Sequence, residues 1–191
     1  MRIFVLGCLT LLLTSSLMAQ KLPDKISIGA AYWGHAIIQP GAKVSVTIPL
    51  KKWGFQKEIK GVERTKNLQL FVQPQVGFFD QPNYTTGLLG NAEFGAKFKR
   101  EDFKFYSAVS VGLGYLGLFN VTSVTVNLQG EIIGETRQLI HNFMPTINYE
   151  VGHEITSFLG WYAKLSLGGR FSAQLEEAMV FFGELGVKAS F

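Results

Sequence analysis

The sequence predicts an all-β fold: a single closed, antiparallel, up-and-down transmembrane β-barrel of eight strands after a cleaved signal peptide. Two observations carry this prediction. Apolar and polar residues alternate in segment after segment beyond residue 19, and side chains alternate between the two faces of a strand. Most segments span nine to seventeen residues. That length suits tilted strands that cross a bilayer, whereas strands of soluble proteins average about five or six residues.

The N-terminus has the features of an export signal. Arg2 precedes an apolar run over residues 3–13, and the small residue Ala19 stands at a suitable cleavage position. The run is too short to cross a membrane as a helix. We therefore predict a signal peptide over residues 1–19 and one barrel domain over residues 20–191.

Composition excludes several classes of function. Cys8 is the only cysteine and lies in the predicted leader, so no disulfide, thiolate metal site or cysteine nucleophile is expected in the mature chain. The formal net charge is +4, and removal of Arg2 with the leader leaves a mild excess that does not favour nucleic acid as a partner.

The alternation marks the strands. We expect eight, over residues 25–33, 41–50, 67–79, 84–99, 103–119, 139–151, 159–171 and 178–191. The last segment shows the pattern clearly, with Met179, Phe181 and Leu185 on one face and Glu184 and Lys188 on the other. The apolar face is predicted to point to lipid and the polar face into the lumen.

An even strand number places both ends of the barrel domain on the periplasmic side. The outer connections are then residues 35–40, 80–83, 120–137 and 173–177, and the periplasmic ones are residues 51–66, 100–102 and 152–157. Segment 120–137 is interpreted as a hairpin that extends beyond the main sheet. Segment 51–66 is a long, lysine-rich connection where a short turn is usual.

Two prolines, Pro74 and Pro145, fall in mid-strand on the apolar face. A proline removes one hydrogen bond from a ladder, and a closed barrel has no free edge to place it on. A β-bulge at each proline would reconcile the two positions with paired strands, but the sequence itself does not show one.

The polar face combines glycine with charge, which suits the narrow lumen of an eight-stranded barrel. We predict a satisfied network within it, in which three carboxylates balance three cations. The members are Glu93, Glu150 and Glu184 with Lys43, Lys164 and Arg170. Two alternatives stay open: the same charges could line a channel, or a soluble lipocalin-like barrel could reverse the two faces. Aromatic residues near both ends of the strands favour the membrane.

No residue is assigned a catalytic, cofactor-binding or metal-binding role. His141 lies on the apolar face at the outer end of its strand, but Ser107 on the preceding strand lies toward the opposite rim. A Ser–His arrangement requires hydrogen-bond reach and an orienting acid, so His141 is interpreted as an interfacial polar residue. His35 and His153 are scattered, without metal-ligand spacing.

The leader, the alternating strands, the Leu113-Gly114-Tyr115 sequence and the terminal Phe191 together resemble small bacterial outer-membrane β-barrel proteins of the "outer membrane protein beta-barrel domain" type. The resemblance implies residence in the outer membrane of a Gram-negative-type bacterium. It also implies contact with lipid and lipopolysaccharide, and insertion by the barrel-assembly machinery, which would read the last strand. It carries over no catalytic residue.

The predicted function is that of a non-enzymatic integral outer-membrane barrel with a structural or surface-interaction role. It would be a monomer with no cofactor and a lumen filled by a polar network, and segment 120–137 would reach any partner. One alternative is a lipid-A-modifying enzyme centred on His141, since small outer-membrane barrels include such enzymes. Another is a narrow channel or a conduit for a hydrophobic ligand.

Overall fold

A computed structural model describes residues 25–35, 40–59, 62–81, 85–126, 129–130, 132–171 and 178–191. The predicted signal peptide, residues 1–19, lies outside them. The strands are β1 (Ser27–His35), β2 (Gly41–Ile59), β3 (Val62–Gln81), β4 (Thr85–Arg100), β5 (Phe105–Val126), β6 (Ile132–Glu154), β7 (Leu159–Arg170) and β8 (Ala178–Ser190). The described part of the chain contains no helix that is long and apolar enough to cross a membrane.

The eight strands form one closed antiparallel barrel in sequence order. Closure is made by β1, whose Ser27 pairs with Thr47 of β2 on one side and with Ser190 of β8 on the other. The Ser27 and Ser190 hydroxyls also share a hydrogen bond of 2.9 Å across this seam. The predicted fold class and strand number are confirmed.

The outer surface of the barrel is apolar. Burial alternates along the strands, and outward-facing Leu113, Ile147 and Leu185 are each more than 60% exposed. A water-soluble barrel would keep its apolar residues inside and its polar residues outside. The prediction that the apolar face points to lipid is therefore confirmed, and the soluble alternative is excluded.

Segment 51–66 differs from its prediction. It is a paired hairpin rather than an irregular connection: Lys51 pairs with Leu70, Phe55 pairs with Lys66, and the ladder continues to Ile59 and Val62. The prediction was wrong because polar residues were equated with a loop, while cross-strand pairing also accepts polar and charged side chains. We call residues 51–66 the periplasmic hairpin.

Pro74 interrupts one ladder without a bulge. The β2–β3 register runs through Ser45–Gln75 and resumes at Ile48–Val72 with no shift, and the pair that would join position 46 to Pro74 is missing. On its β4 side the register is continuous.

Pro145 has the same effect between β6 and β7. The ladder ends at Thr146–Gly168, and an isolated bridge in the same register follows at Phe143–Phe171. The backbone amides of that bridge donate reciprocally, at 2.9 and 3.0 Å, so the next hydrogen-bonded position falls on Pro145, which has no N–H. Each proline removes a ladder bond as expected, and neither position is accommodated by a β-bulge.

The interpretation of residues 120–137 as an extended hairpin is confirmed. β5 and β6 stay paired up to Val126 and Ile132. Gly130 adopts a φ of +82° in the connection, a conformation that a residue with a Cβ rarely adopts. We call residues 120–137 the outer hairpin.

Candidate functional site

The lumen of the barrel is the candidate site, and its outer section is filled by apolar side chains. Trp33 lies at its centre, stacked on Phe182 at 5.1 Å between ring centroids and in edge contact with Phe79 at 5.4 Å. The cluster, which we call the apolar plug, comprises Trp33, Phe79, Leu89, Leu116, Leu118, Ile140, Met144, Val180 and Phe182. Sequence reasoning expected a polar lumen and missed this layer.

Glycines opposite the inward-facing rings make room for them. Phe79 pairs in register with Gly87, and Tyr106 pairs with Gly152. A Cβ at Gly87 would stand 2.1 Å from the Phe79 ring, and one at Gly152 would stand 2.3 Å from the Tyr106 ring. Each ring therefore covers the glycine on the neighbouring strand, an arrangement known to stabilise glycine-containing sheets. A ring paired with a glycine on the polar face was the sequence signal that could have located the inward aromatics.

Below the plug lies a buried set of charges, which we call the central network. Lys164 Nζ lies 3.0 Å from both carboxylate oxygens of Glu93 and 4.0 Å from Glu184 Oε2. Lys43 forms a further ion pair with Glu184. All four side chains are almost completely buried, and two cations meet two carboxylates, so the layer is electrically balanced.

Neutral groups complete the coordination of these carboxylates. Glu93 accepts hydrogen bonds from Gln75 Nε2 at 2.5 Å and from Ser110 Oγ at 2.7 Å. Glu184 accepts one from the Tyr162 hydroxyl at 2.6 Å. Hydrogen bonds to a carboxylate are stronger than neutral ones, and together they satisfy charges that would otherwise be costly to bury.

A third carboxylate, Glu150, lies one step toward the periplasmic end. It accepts from Lys188 Nζ at 2.5 Å and from the Tyr106 hydroxyl at 2.9 Å. The structure therefore brings the three predicted glutamates and two of the predicted cations together in the lumen. The complete pairing predicted for the network is not met, since buried polar atoms, including both of those on the Gln73 side chain, have no hydrogen-bond partner among the described residues. The third cation is Lys188 and not Arg170, since Arg170 pairs in register with Ala178 toward the outer end of the barrel.

The periplasmic end of the lumen opens into a cup of about 360 Å³. Lys97 and Lys99 share the single carboxylate of Glu154, with Lys97 Nζ at 3.3 Å. Lys97 Nζ also stands 4.0 Å from the centre of the Tyr106 ring, and Tyr106 and Glu150 both line the cup. The cup therefore reaches as far as Glu150, next to the central network.

His141 lies on the lipid-facing side near the outer rim, where the sequence predicted it. Its Nδ1 shares a hydrogen bond of 2.6 Å with the Tyr115 hydroxyl. His141 of β6 pairs in register with Gly117 of β5. Ser107 lies ten residues before Gly117 on β5, which corresponds to about 33 Å at the rise of a strand. The structure therefore does not bring a Ser–His pair together at these positions. Within the described ranges no group of three His, Cys, Asp or Glu residues could hold a metal ion.

Comparison with solved structures supports the fold. The N-terminal β-barrel domain of Pseudomonas aeruginosa OprF matches with a TM-score of 0.54 at 18% identity, over 88% of this chain and 98% of that one. Neisserial surface protein A matches at 0.47 and 11% identity, covering 87% and 95% of the two chains. The outer membrane enzyme PagL matches at 0.40 and 12% identity, covering 86% and 98%. No protein-family model matches the sequence, and no curated protein matches it significantly.

The fold shared with the OprF barrel and the apolar outward surface lead to one conclusion. This chain has the fold of a small eight-stranded outer-membrane β-barrel, with an apolar outer surface suited to lipid. The comparison extends to the fold and establishes no specific activity.

Proposed function

We propose that this protein is a non-conducting, non-enzymatic outer-membrane barrel with a structural or surface-interaction role. The observation that carries the proposal is the filled lumen: the apolar plug and the central network lie one above the other across its width. A conducting pore needs a continuous aqueous path lined by groups that bind ions weakly. Two consecutive layers of buried side chains argue against such a path.

The two layers oppose permeation in different ways. The plug presents Trp33 and Met144, each 1% exposed, so a hydrated ion would have to lose its water beside apolar groups. In the central network each cation is already engaged by a carboxylate, and separating buried partners costs several kcal/mol, on the order of 3–5. An ion would have to displace a protein charge to pass.

The outer hairpin is the element that we propose for contact with lipopolysaccharide or a surface partner. Its base is held by Arg137, which donates to the Thr86 hydroxyl at 2.8 Å, and by Thr122, which donates to the Thr136 carbonyl at 3.1 Å. A hairpin fixed in this way loses little conformational freedom on binding. Insertion by the barrel-assembly machinery and the monomeric state stay predictions.

Conductance in planar lipid bilayers tests the proposal. The purified, folded protein is expected to leave the membrane silent under conditions in which an open porin conducts. The variant Trp33→Ala, which thins the plug while leaving the central network in place, is expected to be silent too. Steady, reproducible current steps from the wild-type protein would refute the non-conducting role.

A lipid-A-modifying enzyme is the second candidate, favoured by one observation. The His141–Tyr115 hydrogen bond lies on the lipid face near the outer rim, where such an enzyme would meet its substrate. We expect lipid A mass spectra to be identical in cells that carry the wild-type protein, the His141→Ala variant or no copy. A change in acylation that requires His141 would establish the enzyme and refute the structural role.

A further inference from the structure

A band of exposed basic and aromatic residues lies on the outer wall of the barrel near the periplasmic end, on β2 to β5 and the turn between β4 and β5. Lys66 pairs in register with Phe55 on one side and Arg100 on the other, so these three side chains share the outward face. On the opposite wall, by contrast, Lys164 of β7 and Lys188 of β8 point into the lumen and are bound there. The outward-facing cations Lys66 and Arg100 therefore lie together on the side of the barrel formed by β3 and β4.

The same band encloses an apolar groove of about 590 Å³, a size typical of small-molecule sites. Four phenylalanines dominate its walls, and each is about half exposed: Phe55, Phe98, Phe103 and Phe105. Leu68 contributes to the same lining, and Lys66 and Arg100 stand at its edge. We call this feature the wall groove.

The two cations differ in how far they are neutralised. The Arg100 guanidinium donates to both carboxylate oxygens of Asp102, at 3.2 and 2.6 Å, and lies 5.1 Å above the Phe103 ring. Lys66 is exposed, and none of the ion pairs among the described side chains includes it. Lys51, four residues before Phe55 on β2 and on the same face, is held over the Trp53 ring at 5.0 Å. The edge of the groove therefore keeps a net positive charge.

We propose that the wall groove binds one anionic phospholipid of the periplasmic leaflet. Its acyl chain lies along the four phenylalanines, and its phosphate accepts hydrogen bonds from Lys66 and Arg100. Lysine and arginine are the side chains suited to phosphate, and aromatic residues gather where membrane meets water. Apolar walls topped by cations match a lipid that has an apolar tail and a negative headgroup.

An acyl chain fits this groove better than a peptide does. The groove is lined mainly by outward-facing side chains of β2 to β5 and of the turn between β4 and β5, and the outer surface of the barrel to which they belong is apolar. A peptide laid there would bring backbone N–H and C=O groups against apolar rings, and each unpaired group would cost several kcal/mol. An acyl chain carries no such groups. A phosphate headgroup without an acyl chain would contact the cations but would leave the phenylalanines uncovered.

Native mass spectrometry of the full-length protein in neutral detergent tests this inference. The protein is exchanged against phosphatidylglycerol or phosphatidylcholine with identical acyl chains. We expect one phosphatidylglycerol to be retained in preference to phosphatidylcholine. The Lys66→Gln variant should lower that retention about fivefold, the effect of one basic side chain at an anionic membrane surface. Lys25→Gln is the matched control, since Lys25 lies at the same end but lines the cup inside the lumen.

A second pair of variants tests the apolar part. Phe55→Ser should weaken retention of both lipids, whereas Phe181→Ser, on the exposed face of β8, should not. A gel mobility of the unheated variant equal to that of the wild-type protein shows that each variant is folded. Equal retention of the two lipids by the wild-type protein, or equal losses for Lys66→Gln and Lys25→Gln, would overturn the inference. So would displacement of the lipid by glycerol phosphate or by an acidic peptide, which would assign the cations to another ligand.

Discussion

The apolar plug and the central network fill neighbouring sections of one lumen by opposite physical means. The plug is built from rings and aliphatic chains whose contacts have no fixed direction. The network is built from charges, each of which needs a partner at hydrogen-bond distance. A packed apolar layer tolerates small changes of side-chain shape at a moderate cost in stability. A buried charge that loses its partner stays unpaired in the interior, and the cost in stability is large. The two layers should therefore respond differently to substitutions of similar size.

The largest effect is expected at the centre of the network. Lys164→Met removes the cation that engages Glu93 and approaches Glu184, and should lower the free energy of unfolding by about 4 kcal/mol. Urea unfolding in lipid vesicles, followed by tryptophan fluorescence and gel mobility, measures it. Lys104→Met is the control, because Lys104 is exposed and donates only to the Ile155 carbonyl at 3.2 Å. Equal losses for the two variants would show that the network does not support the fold.

The plug should be the next most sensitive region. Met144→Ala removes a fully buried side chain and should cost about 3 kcal/mol through lost burial and the cavity left behind. The same unfolding measurement applies. Ile147→Ala on the lipid face of the same strand should cost clearly less, because Ile147 is 67% exposed at the barrel surface. A smaller loss at Met144 than at Ile147 would mean that the outer lumen is loosely packed.

A single hydrogen bond in the lower part of the network should have a smaller effect. Tyr106→Phe leaves Glu150 with Lys188 but removes the hydroxyl donor at 2.9 Å, and should cost about 2 kcal/mol, typical of a hydrogen bond to a charged group. Tyr149→Phe, on the outward face, serves as the control in the same unfolding measurement. A change that is no greater than for Tyr149 would indicate that Lys188 alone satisfies Glu150.

The smallest effect is expected in the cup, where the network meets water. Lys97→Gln leaves Lys99 paired with Glu154 and should cost less than about 1 kcal/mol, as is usual for partly exposed ion pairs. That loss should diminish further at high salt, because solvent screens exposed charges. Unfolding at two salt concentrations checks both statements. A salt-independent loss as large as that of Lys164→Met would mean that the cup is as dry as the central network.

Prediction from sequence succeeded where the signal was local. The alternation of apolar and polar residues marked all eight strands and their lipid-facing side, as β8 illustrates. This succeeded because consecutive residues of a strand point to opposite faces, so neighbouring positions alone show the pattern. The same reasoning identified Glu93, Glu150 and Glu184 as lumen residues. It took the periplasmic hairpin for a loop, because polarity alone does not show whether a backbone is paired.

Prediction failed where the answer depended on register. The identity of the third cation, Lys188 instead of Arg170, follows from which residues stand opposite each other across β6, β7 and β8. The apolar plug escaped notice because its members come from six of the eight strands and meet only when the barrel closes. The spacing of residues within one strand does not show which residues of other strands they will contact.

The sequence by itself therefore determined the strands, the face that meets lipid, and the outer-membrane class of barrel, because each of these follows from residue types at adjacent positions. Only the tertiary structure decided which side chains fill the lumen, which cation pairs with Glu150, and where the wall groove lies. These features depend on pairs far apart in the chain. A one-residue change in register would turn every inward side chain outward, so the ladders between strands select the contacts that form.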